Sequence, residues 1–165
     1  MPRRRRRIVV DTNVPVTAKS GTDLQCKLTC IERLEGALNG KYGPVVIDTG
    51  GEVLSEYRRR LSPSGQPSIG DQFYRQIILN RGNSTVVLEV EIQKHEGSYR
   101  EFPATEDLSK FHSDDRKFVA LAIAGQASIW NATDSDWHEH RVALRTNGVS
   151  IIFLCGVSAF RRKIS

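Results

Sequence analysis

The chain has 165 residues, 39% of them hydrophobic, with 24 basic against 19 acidic side chains and a formal net charge of +5. That length fits one ordinary domain with a sizeable core, and the apolar runs are broken by charge well short of the roughly 20 residues that cross a bilayer. With no apolar stretch of signal-peptide length either, the sequence reads as a cytoplasmic protein with no membrane partner. The five arginines at 3–7 account for the whole charge excess, since the rest balances 19 basic against 19 acidic residues. Basicity is therefore a local arm, residues 1–7, that can attract phosphate without sequence preference.

After the arm, RIVVD reads as a short buried strand ended by Asp11. TNVPVTAKSGTD follows as turn and loop, with Asp23 placed to cap a helix in LQCKLTCIERLEGALNGKYG. There Leu24, Leu28, Ile31, Leu34 and Leu38 recur at three- and four-residue steps and define the expected inner face. PVVIDT is a second strand, GGEVLSEYRRRLS a helix, and SIGDQFYRQIILNRG another helix with Phe73, Ile77 and Ile78 inward. STVVLEVEIQ alternates apolar and acidic residues, as in a strand with one solvated face, and KHEGSYREF beyond it suits a hairpin or an extended excursion. SDDRKFVALAIAGQA is an alanine-rich helix with two aspartates at its N-terminal end, where they oppose the helix dipole favourably. ASIWNATD is a strand, DWHEHRVALRTNG a helix and VSIIFLC a final strand. Strands separated by helices predict an α/β domain over residues 8–165 with a largely parallel sheet.

The three cysteines lack the spacing and histidine partners of a zinc site. They read as small core residues of a reducing compartment. In DWHEHR, His138 and His140 are two apart and diverge, so both are expected to be solvated.

The acids carry the chemistry. Asp11 and Asp134 both end strands and so project at the carboxyl edge of the sheet, where open α/β folds bind ligands. Asp114 and Asp115 open a helix, and Glu52 and Glu56 share a helix face. Each acid alone reads as a cap or a surface ion pair. Gathered at one edge, they repel one another unless a hard cation intervenes, and oxygen-only ligands suit Mg²⁺ or Mn²⁺. The chemistry such a site supports is metal-assisted phosphodiester hydrolysis.

In that order along the chain, VVDTN, VLSEYRRRL, SDDRKFVALA and NATDSDW resemble the motifs of the PIN-domain nuclease family. The resemblance runs over residues 8–155. It implies a three-layer α/β/α sandwich and a metal-dependent endoribonuclease acting on RNA; many bacterial members are toxins with an antitoxin protein as partner, and homodimers are common. Residue by residue, it makes Asp11, Glu56, Asp115 and Asp134 the catalytic and metal-holding acids, with Glu56 preferred over Glu52. Asp136 is a candidate fifth acid, close enough to contact a metal through water, Asn13 supports the turn after Asp11, and Asp114 is a helix-start charge. Where many members read T-G-D, this chain has Ala132, Thr133 and Asp134, with Thr133 left to hydrogen-bond a phosphate or a metal-bound water. His112 stands where the family often has an acid, and about 84–103 is longer than the minimal family form, as an insertion would be.

Arg58, Arg59 and Arg60, beside Glu56, either grip an RNA backbone or solvate a helix face. Tyr57 and Trp137 are candidates to stack on bases, with Trp137 the better surface candidate and Trp130 assigned to the core. Two rival functions stay open: a binding module for RNA or protein that keeps the fold without cutting, and a structure-specific DNA nuclease.

Overall fold

The computed structural model describes residues 6–162; the arginines at 3–5 of the N-terminal arm lie outside them. Five parallel strands, β1 (Ile8–Val10), β2 (Val45–Asp48), β3 (Val87–Val90), β6 (Ser128–Asn131) and β7 (Ile151–Phe153), form one sheet in the order β3-β2-β1-β6-β7. A two-stranded antiparallel hairpin, β4 (Lys94–His95) with β5 (Ser98–Tyr99), follows β3. Every residue of β1 and β2 is buried. Because successive side chains point to opposite faces, both faces of the sheet centre are covered.

The covering helices are α1 (Asn13–Ser20), α2 (Leu24–Leu38) and α4 (Ile69–Leu79), which pack on one another, and α5 (Arg116–Gly125), which lies across β1, β2 and β6. With α3 (Glu52–Arg60), α6 (Ser135–Glu139) and α7 (Arg141–Thr146), they complete a three-layer α/β/α sandwich. α1 and α4 approach closely at Gly70, where a Cβ would lie 2.1 Å from the Pro15 carbonyl oxygen.

Four local readings change. Residues 13–20, expected as loop, form α1: Pro15 falls in the first turn, where its missing N–H costs no helical hydrogen bond. The inner face of α2 is Cys26, Cys30, Leu34 and Ala37, whereas Leu24 and Leu28 are 69% and 51% exposed. Of the expected stripe, Leu34 is in the core and Ile31 and Leu38 pack against it, while its N-terminal members Leu24 and Leu28 face outward. On α4, Phe73 and Ile77 are buried and Ile78 is exposed. The segment after β6 breaks at His140 into α6 and α7, and neither histidine is solvated: His138 packs on Phe153 and Phe160, and His140 Nδ1 lies 3.1 Å from an Asp136 carboxylate oxygen.

The cysteines also depart from expectation. Cys26 and Cys155 form a disulfide that joins the first turn of α2 to the chain just after β7, and Cys30 remains a buried thiol that burial pushes up to about 12. Three free core thiols were the wrong reading of the set. Among the described residues no helix is long and apolar enough to cross a membrane.

Candidate functional site

Strand order alone selects a location. From β1 the chain moves outward through β2 to β3, then returns to the other side of β1 for β6 and β7. The reversal lies between β1 and β6, and ligands of open α/β sheets bind at the carboxyl ends of the strands flanking such a point. Asp11 follows β1 and Asp134 follows β6 by three residues.

Asparagine ties these two strand ends together. Asn13 Oδ1 accepts from the amides of Ala132 at 2.7 Å and Thr133 at 3.3 Å, while Asn13 Nδ2 donates to Asn131 Oδ1 at 2.7 Å. Buried Asn131 closes the second turn by donating to the Asp134 carbonyl at 3.0 Å and accepting from the Asp134 amide at 3.2 Å. The loops carrying Asp11 and Asp134 are thus cross-braced by side chains.

The third acid arrives from α5. Residues Ser113–Asp115 form a 3-10 turn leading into that helix, which buries Phe118, Val119 and Leu121 and thereby carries Asp115 over the sheet's carboxyl edge. Asp11, Asp115 and Asp134 are 2%, 0% and 5% exposed, and an oxygen from each lies within 4.8 Å of the others. Glu56 and Asp136 fall outside that group among the described residues. Glu56 lines the same cavity but its Oε2 takes Lys117 Nζ at 3.2 Å. Asp136 spends its carboxylate on the His112 amide at 3.0 Å and on His140. Asp114 points its side chain outward, 68% exposed, and Glu52 pairs with Lys94.

Asp48 shows what a purely structural acid at a strand end looks like. Its two oxygens accept from the Glu52 and Val53 amides at 2.8 and 2.9 Å and cap α3. Asp134 accepts from the Asp136 amide at 2.9 Å through Oδ1 only, and its buried Oδ2 has no hydrogen-bond partner among the described residues. A buried carboxylate oxygen left in that state is costly. Asp11 takes the Asn13 amide at 2.9 Å through Oδ1 and the Trp137 indole N–H at 2.8 Å through Oδ2, which fixes the orientation of its carboxylate.

Two expected base-stacking residues are instead part of the frame. Trp137 is fully buried, its ring against Phe111 and its N–H on Asp11. Tyr57 is equally buried and donates its hydroxyl to the Val10 carbonyl at the end of β1. Burial, with Asp11 and Glu56 adding negative potential, pushes the Tyr57 phenol well above its ordinary value. Tyr99 is pushed up to about 12 by burial and by Glu52, Asp48 and Glu56.

Asp11 and Asp134 open into a cavity of about 220 Å³ lined also by Thr12, Asn13, Glu56, Arg60, Thr133, Arg161 and Arg162, among others, while Asp115 lies buried outside its lining. Arg58 and Arg59 are exposed on α3 outside that lining. Lys117, Asn131 and the two C-terminal arginines escaped the reading of the sequence. Asn131 had a signal, since it opens the NATD motif; Arg161 had none, being 150 residues from Asp11 and joined to the site only by tertiary pairing.

Three carboxylates this close and this dry repel one another, and the donor set is all oxygen with an unsatisfied buried member. Such a group could hold a hard divalent cation. Compared with protein-family models, curated proteins and solved structures, the chain gives no match.

Proposed function

We propose that the chain is a Mg²⁺- or Mn²⁺-dependent endoribonuclease of the PIN-domain kind, with the acid centre at the β1/β6 switch point as its active site. The observation that carries this reading is the convergence of Asp11, Asp115 and Asp134 within 4.8 Å, beside a cavity that Asp11 and Asp134 line together with Arg60, Arg161 and Arg162. Asp11, Asp115 and Asp134 would hold the cation, and Glu56 is the nearest further acid in the lining. Bound there, a divalent ion supplies neutralisation of the phosphodiester charge and lowers the pKa of an attacking water.

The chain's own residues do the rest. Asn13 and Asn131 fix the spacing of the acid-bearing loops, so that the carboxylates need no reorganisation when ligand arrives. Trp137 orients Asp11 by holding one of its oxygens. Thr133, in the cavity wall, offers a hydroxyl to a phosphate oxygen, and Arg60 offers a guanidinium. Lys117 neutralises Glu56 and limits the repulsion the centre must bear.

That same Lys117–Glu56 pair favours a second reading, a binding module in which lysine supplies part of the positive charge a metal would otherwise bring. Incubating a mixed structured RNA pool with the protein in Mn²⁺, in Mg²⁺ and in EDTA, beside Asp11→Asn, separates the two. Cleavage that requires metal and disappears in the variant is expected; RNA bound but intact under both metals selects the binding module. If the chain is also a toxin, its expression without a partner antitoxin arrests growth.

A further inference from the structure

Past β7 the chain does not leave the sheet edge. Residues 156–162 turn back as a strap against the loop that carries Asp134: the Arg161 amide donates to the Thr133 carbonyl, and the Ser135 amide donates to the Arg161 carbonyl at 3.1 Å, a parallel bridge between Asp134 and Arg161. The strap begins at the Cys26–Cys155 disulfide and packs Phe160 on Phe153 and His138. Its position is therefore set at both ends.

This strap forms one wall of the acid cavity, through Arg161 and Arg162, and continues into a second cavity of about 210 Å³. The two cavities share Val16, Thr17, Thr133 and Arg161. Beyond the shared residues the second is lined by Ser20, Gly21, Thr22, Asp23, Cys26 and Ala159, a mixed polar and apolar wall without a further cation. The two linings thus connect Arg60, Asp11 and Asp134 in the first cavity, through Arg161, with a trough in the second.

The charges along these linings are unequal in availability. Arg162 lies 3.6 Å from Glu139, whereas among the described residues no carboxylate pairs with Arg60 or Arg161. Arg161 Nη1 donates to the Ser158 and Phe160 carbonyls at 3.0 and 2.8 Å, which steadies the guanidinium while leaving other N–H groups of its five for a ligand. Asp11 and Asp134 are only 2% and 5% exposed in the wall of this cavity, a recess that suits the backbone of one strand better than a duplex.

We propose that the C-terminal strap is the second bank of a single-stranded RNA groove, in which Arg161 and Arg60 hold backbone phosphates on either side of the acid centre and the trough beyond Arg161 takes the next nucleotide. The hydroxyls of Thr17, Ser20, Thr22 and Thr133 suit ribose and base edges, where the 2′-hydroxyl adds both a donor and an acceptor. The assignment rests on the nuclease reading and adds to it a residue and a direction for the chain.

The test is fluorescence anisotropy with a labelled single-stranded RNA of about 12 nucleotides, in Ca²⁺ to slow turnover, across a salt series. Arg161→Gln is expected to weaken binding about tenfold and to flatten the slope of log K against log salt by about 0.7, the release expected for one phosphate contact on a single strand. Arg60→Gln behaves alike, Arg161→Lys restores most of the affinity, and Arg145→Gln, in a cavity away from the acids, leaves binding unchanged. Mn²⁺ affinity by calorimetry stays at the wild-type value in all four. Wild-type affinity for RNA in Arg161→Gln, or failure of Arg161→Lys to recover it, overturns the strap assignment while Mn²⁺ and RNA binding by the parent protein keep the nuclease reading standing. A parent protein that binds neither Mn²⁺ nor RNA removes both.

Discussion

Replacing Asn13 by alanine tests whether the two acid-bearing loops are held by their cross-brace. The variant loses the acceptor for Ala132 N–H at 2.7 Å and the donor to Asn131 Oδ1 at 2.7 Å, while the Thr133 contact, at 3.3 Å, is weaker. Two such bonds contribute about 1 kcal/mol each, and the buried Ala132 amide left without its partner adds about 1 kcal/mol or more. Asn131 Oδ1 still accepts from Asp134 N–H, so it is not orphaned and adds no further penalty. The expected loss is about 3 kcal/mol, which at an m-value of about 2 kcal/mol/M in urea moves the unfolding midpoint down by about 1.5 M. Loosening the loops should also weaken Mn²⁺ binding by about 10- to 100-fold, as for other residues that orient metal ligands. Asn13→Asp keeps the acceptor, turns an oxygen toward Asn131 Oδ1 and adds a charge beside Asp11. Its loss at pH 7 should therefore shrink as the new carboxyl protonates. Urea titrations of the three proteins at two pH values measure this. A loss below about 0.5 kcal/mol for Asn13→Ala, the range of ordinary surface substitutions, would refute the argument.

Three further outcomes follow from other parts of the fold. Asp71 is buried, and although burial works to raise its carboxyl, hydrogen bonds from the Ser62 amide, Ser68 and Lys19 outweigh it and hold the group below its ordinary 3.8. A depressed folded value means stabilisation that is present above about pH 4 and lost as pH falls through the folded pKa; Asp71→Asn should cost about 3 kcal/mol at pH 7, with the gap to wild type closing in acid, and a gap constant with pH would contradict the assignment. The Cys26–Cys155 bridge closes 129 residues of chain, for which the chain-entropy model gives up to about 5 kcal/mol; Cys155→Ser, or dithiothreitol on the parent, should lower Tm and loosen the strap, whereas an unchanged melt in reductant would show that the bridge contributes nothing. Trp137→Phe keeps a ring in the core but removes the donor to Asp11, so it should cost about 2 kcal/mol and weaken Mn²⁺ binding, with no effect on metal affinity being the contrary result.

The sequence made the sheet and its acids legible because the governing signals are local. IVV and VVID are short β-branched runs ended by aspartate, and Asp23 and Ser68 cap their helices as their side-chain chemistry predicts. Asp11, Asp115 and Asp134 could be sent to one edge because strand ends and a helix start fix where a side chain emerges. What stayed hidden depended on tertiary choice. Pro15 marks a breaker in general, yet it sits in the first turn of α1, where it is tolerated. Leu24 and Leu28 satisfy the helical period on an outer face, while Cys26, Cys30 and Ala37 join the expected Leu34 in the core. Trp137, beside the acids in sequence, turns its indole inward because Asp11 offers the N–H an acceptor there. Lys117 and Arg161 reach the site through α5 and the strap, and nothing local distinguishes them from other surface cations. Two cysteines 129 residues apart give no sign that they will meet.

The central claim is that Asp11, Asp115 and Asp134 form a divalent cation centre, and calorimetric titration of Mn²⁺ into the protein at pH 7 tests it most directly, beside Asp115→Asn with folding checked by circular dichroism. Saturable Mn²⁺ binding by the parent and its loss in a folded Asp115→Asn is the predicted result. A parent protein that binds no Mn²⁺ at millimolar concentration, or a variant that binds it equally well, would contradict the account.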